Sequence, residues 1–339
     1  MKKKKALITG ISGQDGAYLA KFLINKGYNV TGGERQNASG NLWRLKELKI
    51  EKKIKIVPFE LLEENNINDV IRNGKFNEIY NLAAQSFVGN SYSSPIFTSN
   101  VNALGVTRIL EAIRHSSKKT KLYQASTSEM YGNSNATSQN EKTFFEPISP
   151  YAVSKLYSHW MINLYREAYN IFCCSGILFN HESPLRGKEF VTKKIVAGLA
   201  KVKFKEISYL KVGNIYAHRD WGFAEDYVEA MWKMMQLKEP DDFVISSGKT
   251  YTVKEFINKT AKYYGYDLIW HGKGINEKAF DKKTKKIIIK VDKRFFRPTE
   301  VNFLYGNSEK AKKIINWTPQ TKLDELIRIM CDYEIKKYK

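Results

Sequence analysis

The sequence predicts an α/β protein, a doubly wound parallel sheet with a smaller C-terminal substrate-binding region. Three observations lead there. Short apolar runs alternate with helical patterns through the first half of the chain, the signature of strands joined by crossover helices. A glycine-spaced turn, Gly10, Gly13 and Gly16, follows the first run at once. Small or polar residues also gather where apolar runs end, at residues 10–16, 81–86 and 126–129. A parallel sheet receives ligands beyond the carboxyl ends of its strands, so these ends predict one cleft.

The elements follow in order. Lys5–Thr9, KALIT, reads as a buried strand, and the helix after the glycines carries Tyr18, Leu19, Phe22 and Leu23 on its apolar side. Residues 29–31, 55–59 and 78–83 are further strands, with a helix over residues 99–114. Residues 121–126 and 171–179 complete six strands. Beyond about residue 180, loops rich in Pro, Gly and Arg alternate with short helices at 223–235 and 253–264. Residues 1–180 therefore read mainly as the first unit and 181–339 mainly as the second, with some chain returning to the first. The lysine-rich stretch 273–290 fits either a surface hairpin or a flexible insertion.

Composition bounds the function. A chain of 339 residues, 42% hydrophobic and 27% charged, is long enough for a deep core. No stretch reaches the roughly 18 apolar residues of a membrane span. The basic start MKKKKALITG runs into glycines too soon for an export segment, so a soluble cytoplasmic protein without a membrane partner is expected. Three cysteines, two of them the vicinal Cys173 and Cys174 in an apolar run, give neither a disulfide framework nor a metal site. The formal charge of +21 would attract polyanions. It is lysine scattered in runs such as 2–5, 118–119 and 283–286, without a nucleic-acid module, so no nucleic-acid partner is expected.

Gly10-x-x-Gly13-x-x-Gly16 makes the opening Rossmann-like. Glycine lets the backbone turn sharply and approach a pyrophosphate, which the free N–H groups of the helix N-terminus attract. The spacing departs from the strict dinucleotide fingerprint, and a plain turn before a helix is the bland reading. Arg35, after the second strand, suits the phosphate of NADP, whereas the adjacent Glu34 would suit the ribose hydroxyls of NAD. A surface Arg–Glu pair also accounts for both.

Tyr151 and Lys155 are spaced i,i+4, which places them on one face of a helix. An ammonium near the phenol favours phenolate, so the tyrosine can exchange a proton while the lysine also holds a ribose. Upstream, Ser126-Thr127-Ser128-Glu129 ends the fifth strand. A hydroxyl there can orient a substrate alcohol. Glu129 is surplus to alcohol oxidation, which needs one base, and so suggests proton abstraction from carbon followed by elimination. Its bland reading is a turn cap or a lysine partner.

The chain resembles the GDP-mannose 4,6-dehydratase family over nearly its whole length. The segments that carry the resemblance are ALITGISGQDGAYLAKFL, IYNLAAQSFVG, YQASTSEMYG, SPYAVSKLYSHW, GILFNHESPLRG, EFVTKKI, GNIYAHRDWGFAEDYVEAMW and FFRPTEV. The resemblance implies an extended short-chain dehydrogenase/reductase whose first part binds NADP and whose second binds a GDP-sugar. It implies catalysis by Thr127, Glu129, Tyr151 and Lys155. Cofactor contacts would come from Thr9, Gly10, Gly13, Gln14, Asp15, Gly16, Arg35, Glu60, Leu82, Ala83 and His181, besides Tyr151 and Lys155. Substrate contacts would come from Ser86, Asn180, Lys193, Arg219, Arg297 and Glu300. It further implies a homodimer or homotetramer, with residues 35–44 at a tetramer contact.

Two departures stand out. Phe59-Glu60-Leu61 replaces the family's Gly-Asp segment, and Gln36-Asn37 follows Arg35 where the family favours a second arginine. Both bear on cofactor affinity rather than on fold. A GDP-heptose with the same C4–C5–C6 chemistry is the alternative substrate. A sugar-nucleotide epimerase or reductase would need the Tyr–Lys pair but not Glu129, and a dinucleotide-binding regulator would need neither.

Overall fold

The computed structural model describes residues 3–36, 41–116 and 119–338. Lys2, Lys118, Asn37 and part of the 35–44 segment lie outside the described residues.

Seven parallel strands form the main sheet: β1 Lys5–Thr9, β2 Asn29–Glu34, β3 Lys55–Pro58, β4 Glu78–Asn81, β5 Lys121–Thr127, β6 Cys173–Leu178 and a seventh strand, Phe243–Ile245. Their spatial order is Phe243–Ile245, β6, β5, β4, β1, β2, β3. The chain winds one way from β1 to β3 and the other way from β4 onward. That reversal between β1 and β4 opens a crevice at the carboxyl ends of the strands. The doubly wound prediction holds.

Several boundaries differ from expectation for local reasons. β2 runs on to Glu34 through Gly32 and Gly33, a pair that resembles a break in sequence. A Cβ on Gly32 would stand 2.6 Å from Ile11 Cγ1, and one on Gly33 2.8 Å from Phe59 Cβ. The glycines are the price of close packing over the strand. β4 ends at Asn81 because the Thr9 hydroxyl donates to Asn81 Oδ1 at 2.6 Å and accepts the N–H groups of Leu82 and Ala83. The helix expected from residue 99 begins at Pro95, passes through a π turn at Asn100–Leu104 and continues as Gly105–Ser116. Within the main sheet, the seventh strand is the one that sequence reading missed. Three buried residues are too few to show a period.

After β6 the chain builds a second apolar cluster, with Ile195 and Leu199 of helix Val191–Lys203, Phe256 and Ile257 of helix Val253–Tyr263, and Leu326 and Met330 of helix Leu323–Ile335. A four-stranded sheet, Leu268–His271, Lys278–Asp281, Ile287–Val291 and Leu210–Val212, packs beside it. The stretch 273–290 thus contains a hairpin, and Ala279 and Ile289 fasten it to the core while its lysines stay outside. Between these parts Phe243–Ile245 returns to the main sheet along β6.

Candidate active site

The glycine turn connects β1 to helix Gln14–Asn25. Gly10 has φ +66°, and a Cβ there would lie 2.9 Å from Ala83 Cα; a Cβ on Gly16 would lie 2.4 Å from Gly10 O. Only hydrogen fits at either place. Gly13 caps the helix without a side-chain bond, leaving its first N–H groups to a ligand. Side chains then tie this turn to the end of β6. Gln14 Nε2 donates to His181 O at 3.1 Å, and the Ser183 hydroxyl donates to Gln14 Oε1 at 2.6 Å. Arg44 donates to both Ser12 O and Leu185 O. The exposed Arg35 follows β2, beside the turn, because the N–H of Gly10 bonds Gly33 O. Glu60 follows β3, with its N–H on Asn66 Oδ1.

The crevice beyond β4, β5 and β6 holds about 140 Å³ of water-accessible space, lined among others by Asp15, Leu82, Ser86, Thr127, Glu129, Tyr151, Lys155, Asn180, His181 and Arg297. Sequence-distant candidates therefore meet in one place. Tyr151 and Lys155 lie in the first turns of helix Pro150–Tyr169, which starts sharply. Pro150 opens it, and the Ser149 hydroxyl accepts the Ala152 N–H at 3.1 Å. Thr127 ends β5 and its hydroxyl accepts the Glu129 N–H at 3.2 Å, which starts the tight turn that carries the carboxylate into the cleft.

Burial sets the protonation states here. It pushes the Tyr151 phenol up to about 12 against a hydrogen bond from Thr127 that holds it lower, while the charge of Glu129 raises it further. Burial also pulls the Lys155 ammonium down to about 8. Lys155 Nζ donates to Ala125 O at 2.9 Å and stands 6.0 Å from the centre of the tyrosine ring. The sequence-based expectation of a lysine that lowers the phenol pKa is therefore not met by the protein's own groups: desolvation outweighs the distant ammonium.

A second cavity of about 400 Å³ continues outward and shares Glu129, Asn180, Phe190 and Arg297 with the first. Its wall carries the cations Lys194, Arg219, Arg294 and Arg297 and the carboxylates Glu129, Glu182, Glu189 and Glu300. Arg219 is buried and donates to Glu300 Oε1 and Val301 O, both at 2.7 Å. Arg297 stands 3.7 Å from Glu129 and 3.8 Å from Glu300. Two guanidiniums in the wall of such a cleft, Arg219 buried and Arg297 more open, suit a diphosphate. A separate cavity of about 650 Å³ around His159, Trp160 and Asp241 receives none of the candidate site residues.

One expected contact is misplaced. Lys193 is buried, with Nζ on Pro184 O at 2.7 Å and paired with Glu334 at 2.5 Å, and it reaches neither cavity. Its neighbour Lys194 lines the outer one. Successive helical residues point about 100° apart, so only packing separates the two. Sequence reading also missed Arg186, which enters the inner cavity, pairs with Glu182 at 3.1 Å and lies 3.5 Å over the Phe190 ring. Its sequence signal was an arginine in a Pro–Gly loop directly after the sixth strand.

Comparison with known proteins gives the family and the fold. The family model described as GDP-mannose 4,6 dehydratase matches residues 7–330. The chain is 44% identical to the Homo sapiens GDP-mannose 4,6 dehydratase, covering 98% of this chain and 91% of the relative. It is also 44% identical to the Vibrio cholerae GDP-mannose 4,6-dehydratase, covering 98% and 94%. Among solved structures it superposes on a UDP-glucose 4-epimerase from Thermotoga maritima with a TM-score of 0.83 at 20% identity, covering 99% and 100%. A dTDP-glucose 4,6-dehydratase from Bacillus anthracis in complex with NAD gives 0.81 at 20%, covering 98% and 97%. At that identity these two show the fold.

Proposed function

The chain belongs to the GDP-mannose 4,6-dehydratase family, and we propose that Thr127, Glu129, Tyr151 and Lys155 carry its reaction with NADP as the redox carrier. The protein is an NAD(P)-dependent dehydratase that converts GDP-mannose to GDP-4-keto-6-deoxymannose and water, by oxidation at C4, elimination across C5 and C6, and reduction at C6.

The observation that carries the residue assignment is a buried carboxylate, Glu129, in the same cavity as the Tyr151–Lys155 pair and the Thr127 hydroxyl. Thr127 orients the C4 hydroxyl, and Tyr151 takes its proton. The resulting ketone makes the C5 hydrogen acidic. Glu129 removes that proton and delivers it to the C6 hydroxyl, which leaves as water. A side chain that accepts and then gives a proton explains why a second acid–base group is present. When bound, the nicotinamide would supply a hydride acceptor for C4 and a donor for C6; the proton that Tyr151 takes from the C4 hydroxyl is returned to the sugar at C5, so no net oxidation results. Arg219 and Arg297 hold the diphosphate, with Asn180, Ser86 and Glu300 along the sugar and nucleotide, and Lys194 rather than Lys193 on the outer wall.

The dinucleotide fits the turn because two Cβ positions there are sterically closed and the helix N-terminus is uncapped. Arg35 is the phosphate partner that favours NADP over NAD; Thr9, Gly13, Leu82, Ala83 and Glu60 complete the cradle. We take residues 1–180 as mainly the cofactor part and 181–339 as mainly the sugar-nucleotide part, in a cytoplasmic homo-oligomer. No helix among the described residues is long and apolar enough to cross a membrane.

Glu129→Gln tests the assignment. The variant should bind GDP-mannose and cofactor as the parent does, yet lose at least ~100-fold in product formation, followed by chromatography of the sugar nucleotide. Parental turnover would remove Glu129 from the elimination step. Denaturing the purified protein and identifying the nucleotide released tests the cofactor: NADP is expected, and NAD alone would move the ribose contact to Glu34.

A further inference from the structure

An unusual charge arrangement lies under the cofactor turn, and its reading rests on the dinucleotide assignment above. Asp15 is in the first turn of helix Gln14–Asn25, the N-terminus at which the pyrophosphate is expected to sit. A carboxylate suits a helix N-terminus on its own, but it repels a second anion bound at the same end. The structure supplies a counter-charge. His181 Nε2 lies 2.8 Å from Asp15 Oδ2, and His181 Nδ1 lies 2.8 Å from Phe179 O. A carbonyl oxygen only accepts, and so does an ionised carboxylate. With Asp15 ionised, as its lowered pKa favours, both ring nitrogens donate, which only the imidazolium can do.

We propose that His181 is a standing imidazolium whose task is to neutralise Asp15, so that the turn accepts the cofactor's pyrophosphate. In this assignment His181 is a positioning and charge-balancing residue. Its two N–H bonds are spent on the protein, and it neither exchanges protons with substrate nor offers a ring nitrogen to the cofactor. The surroundings support the pairing. The imidazole is stacked on Tyr227, 4.6 Å between centroids at 26°, which fixes the ring plane. Gln14 Nε2 bonds Asp15 Oδ1 at 3.0 Å, which fixes the carboxylate.

The charged groups that face the pair are Arg186, from the turn after β6, and Arg44, from helix Trp43–Glu47. Arg186 opposes a proton on His181, but it is itself paired with Glu182 at 3.1 Å. Burial also opposes the proton, yet the charge and hydrogen bond of Asp15 prevail and the imidazole pKa is raised. For Asp15, burial would raise the pKa, but His181 prevails and it is lowered. The two directions agree with an ion pair.

Binding of NADPH by calorimetry, with three variants, separates this from a packing role. His181→Gln leaves Asp15 uncompensated and should weaken binding by roughly tenfold or more. Asp15→Asn in the His181→Gln background should regain most of that loss, although it removes a second partner of the same contact. In the parent, affinity should hold across neutral pH and fall as pH rises through the imidazolium pKa, and Asp15→Asn should flatten that fall. No recovery in the double variant would overturn the proposal. So would ¹⁵N NMR of histidine-labelled parent at pH 7.5 showing one bare nitrogen on His181. Two protonated nitrogens there is the supporting result, and it requires no variant to fold. If the parent binds no NADPH at all, the cofactor assignment falls, while the NMR result still decides the charge of His181.

Discussion

Burying Lys155 places an ammonium where its charge is disfavoured, and the consequence can be measured. Burial draws its pKa down to about 8, below the 10.5 of a free lysine side chain. Below pH 8 the lysine is charged in both folded and unfolded chains, and the full penalty, on the order of 3 kcal/mol, weighs on the fold. Between about pH 8 and 10.5 the unfolded chain binds more protons, so stability rises with pH. Lys155→Met should therefore abolish turnover while keeping or raising Tm at pH 7. The gain is reduced because Ala125 O loses its donor, at a cost of about 1–3 kcal/mol. Calorimetry showing a Tm several degrees below the parent would mean that the ammonium supports the fold. Tyr151 and Lys155 were legible in sequence because both lie on one short helical repeat. Arg186 was not, since its place in the cleft depends on how the loop after β6 closes over the first helix, which no local pattern encodes.

Helix Val191–Lys203 shows where sequence reading loses resolution. It presents two lysines in succession, and only the second, Lys194, lines the outer cavity. Lys193 crosses to Glu334 in helix Leu323–Ile335, both side chains about 4–5% exposed, so it fastens two helices of the second cluster. Lys194 faces the outer cavity, its ammonium 3.0 Å from the Phe295 ring centre and its pKa drawn down to about 8 by burial. The two substitutions should separate cleanly. Lys193→Met leaves Glu334 with only the half-exposed Lys337 and should cost about 2–4 kcal/mol of stability, read by denaturant midpoint, with KM for GDP-mannose unchanged. Lys194→Met should raise KM severalfold and leave the midpoint alone. The reverse pattern would return the substrate contact to Lys193. The same reasoning explains the strands. β1 and β5 are legible as apolar runs that end in candidate site residues. The glycine pair of β2 and the three-residue strand Phe243–Ile245 needed the packing around them to be recognised.

At the scale of the whole molecule, the sequence marks a charge of +21 and, by resemblance, a tetramer contact at residues 35–44, part of which lies outside the described residues; the structure supplies a second surface to test. Helix Pro150–Tyr169 turns its catalytic face inward and leaves Val153, Tyr157, Trp160 and Leu164 outside at 54%, 40%, 58% and 52% exposure. Their spacing of four, three and four makes a single stripe. Ile96, Phe97 and Leu104, on the neighbouring helical segment 95–116, are 84%, 40% and 46% exposed. Two adjacent helices with apolar outer faces form a surface that a two-fold axis can pair with itself, in keeping with the proposed homo-oligomer. Such pairing would brace the helix that holds Tyr151 and Lys155 from behind. Light scattering should thus give at least twice the chain mass of 39.2 kDa. Trp160→Glu with Leu164→Glu should bring it to the chain mass, with circular dichroism unchanged and turnover reduced. Because like-charged chains repel, raising the salt concentration should strengthen association of the parent. A parent that stays monomeric at high salt would leave the stripe without its partner, and the catalytic helix would then be held by the fold of one chain alone.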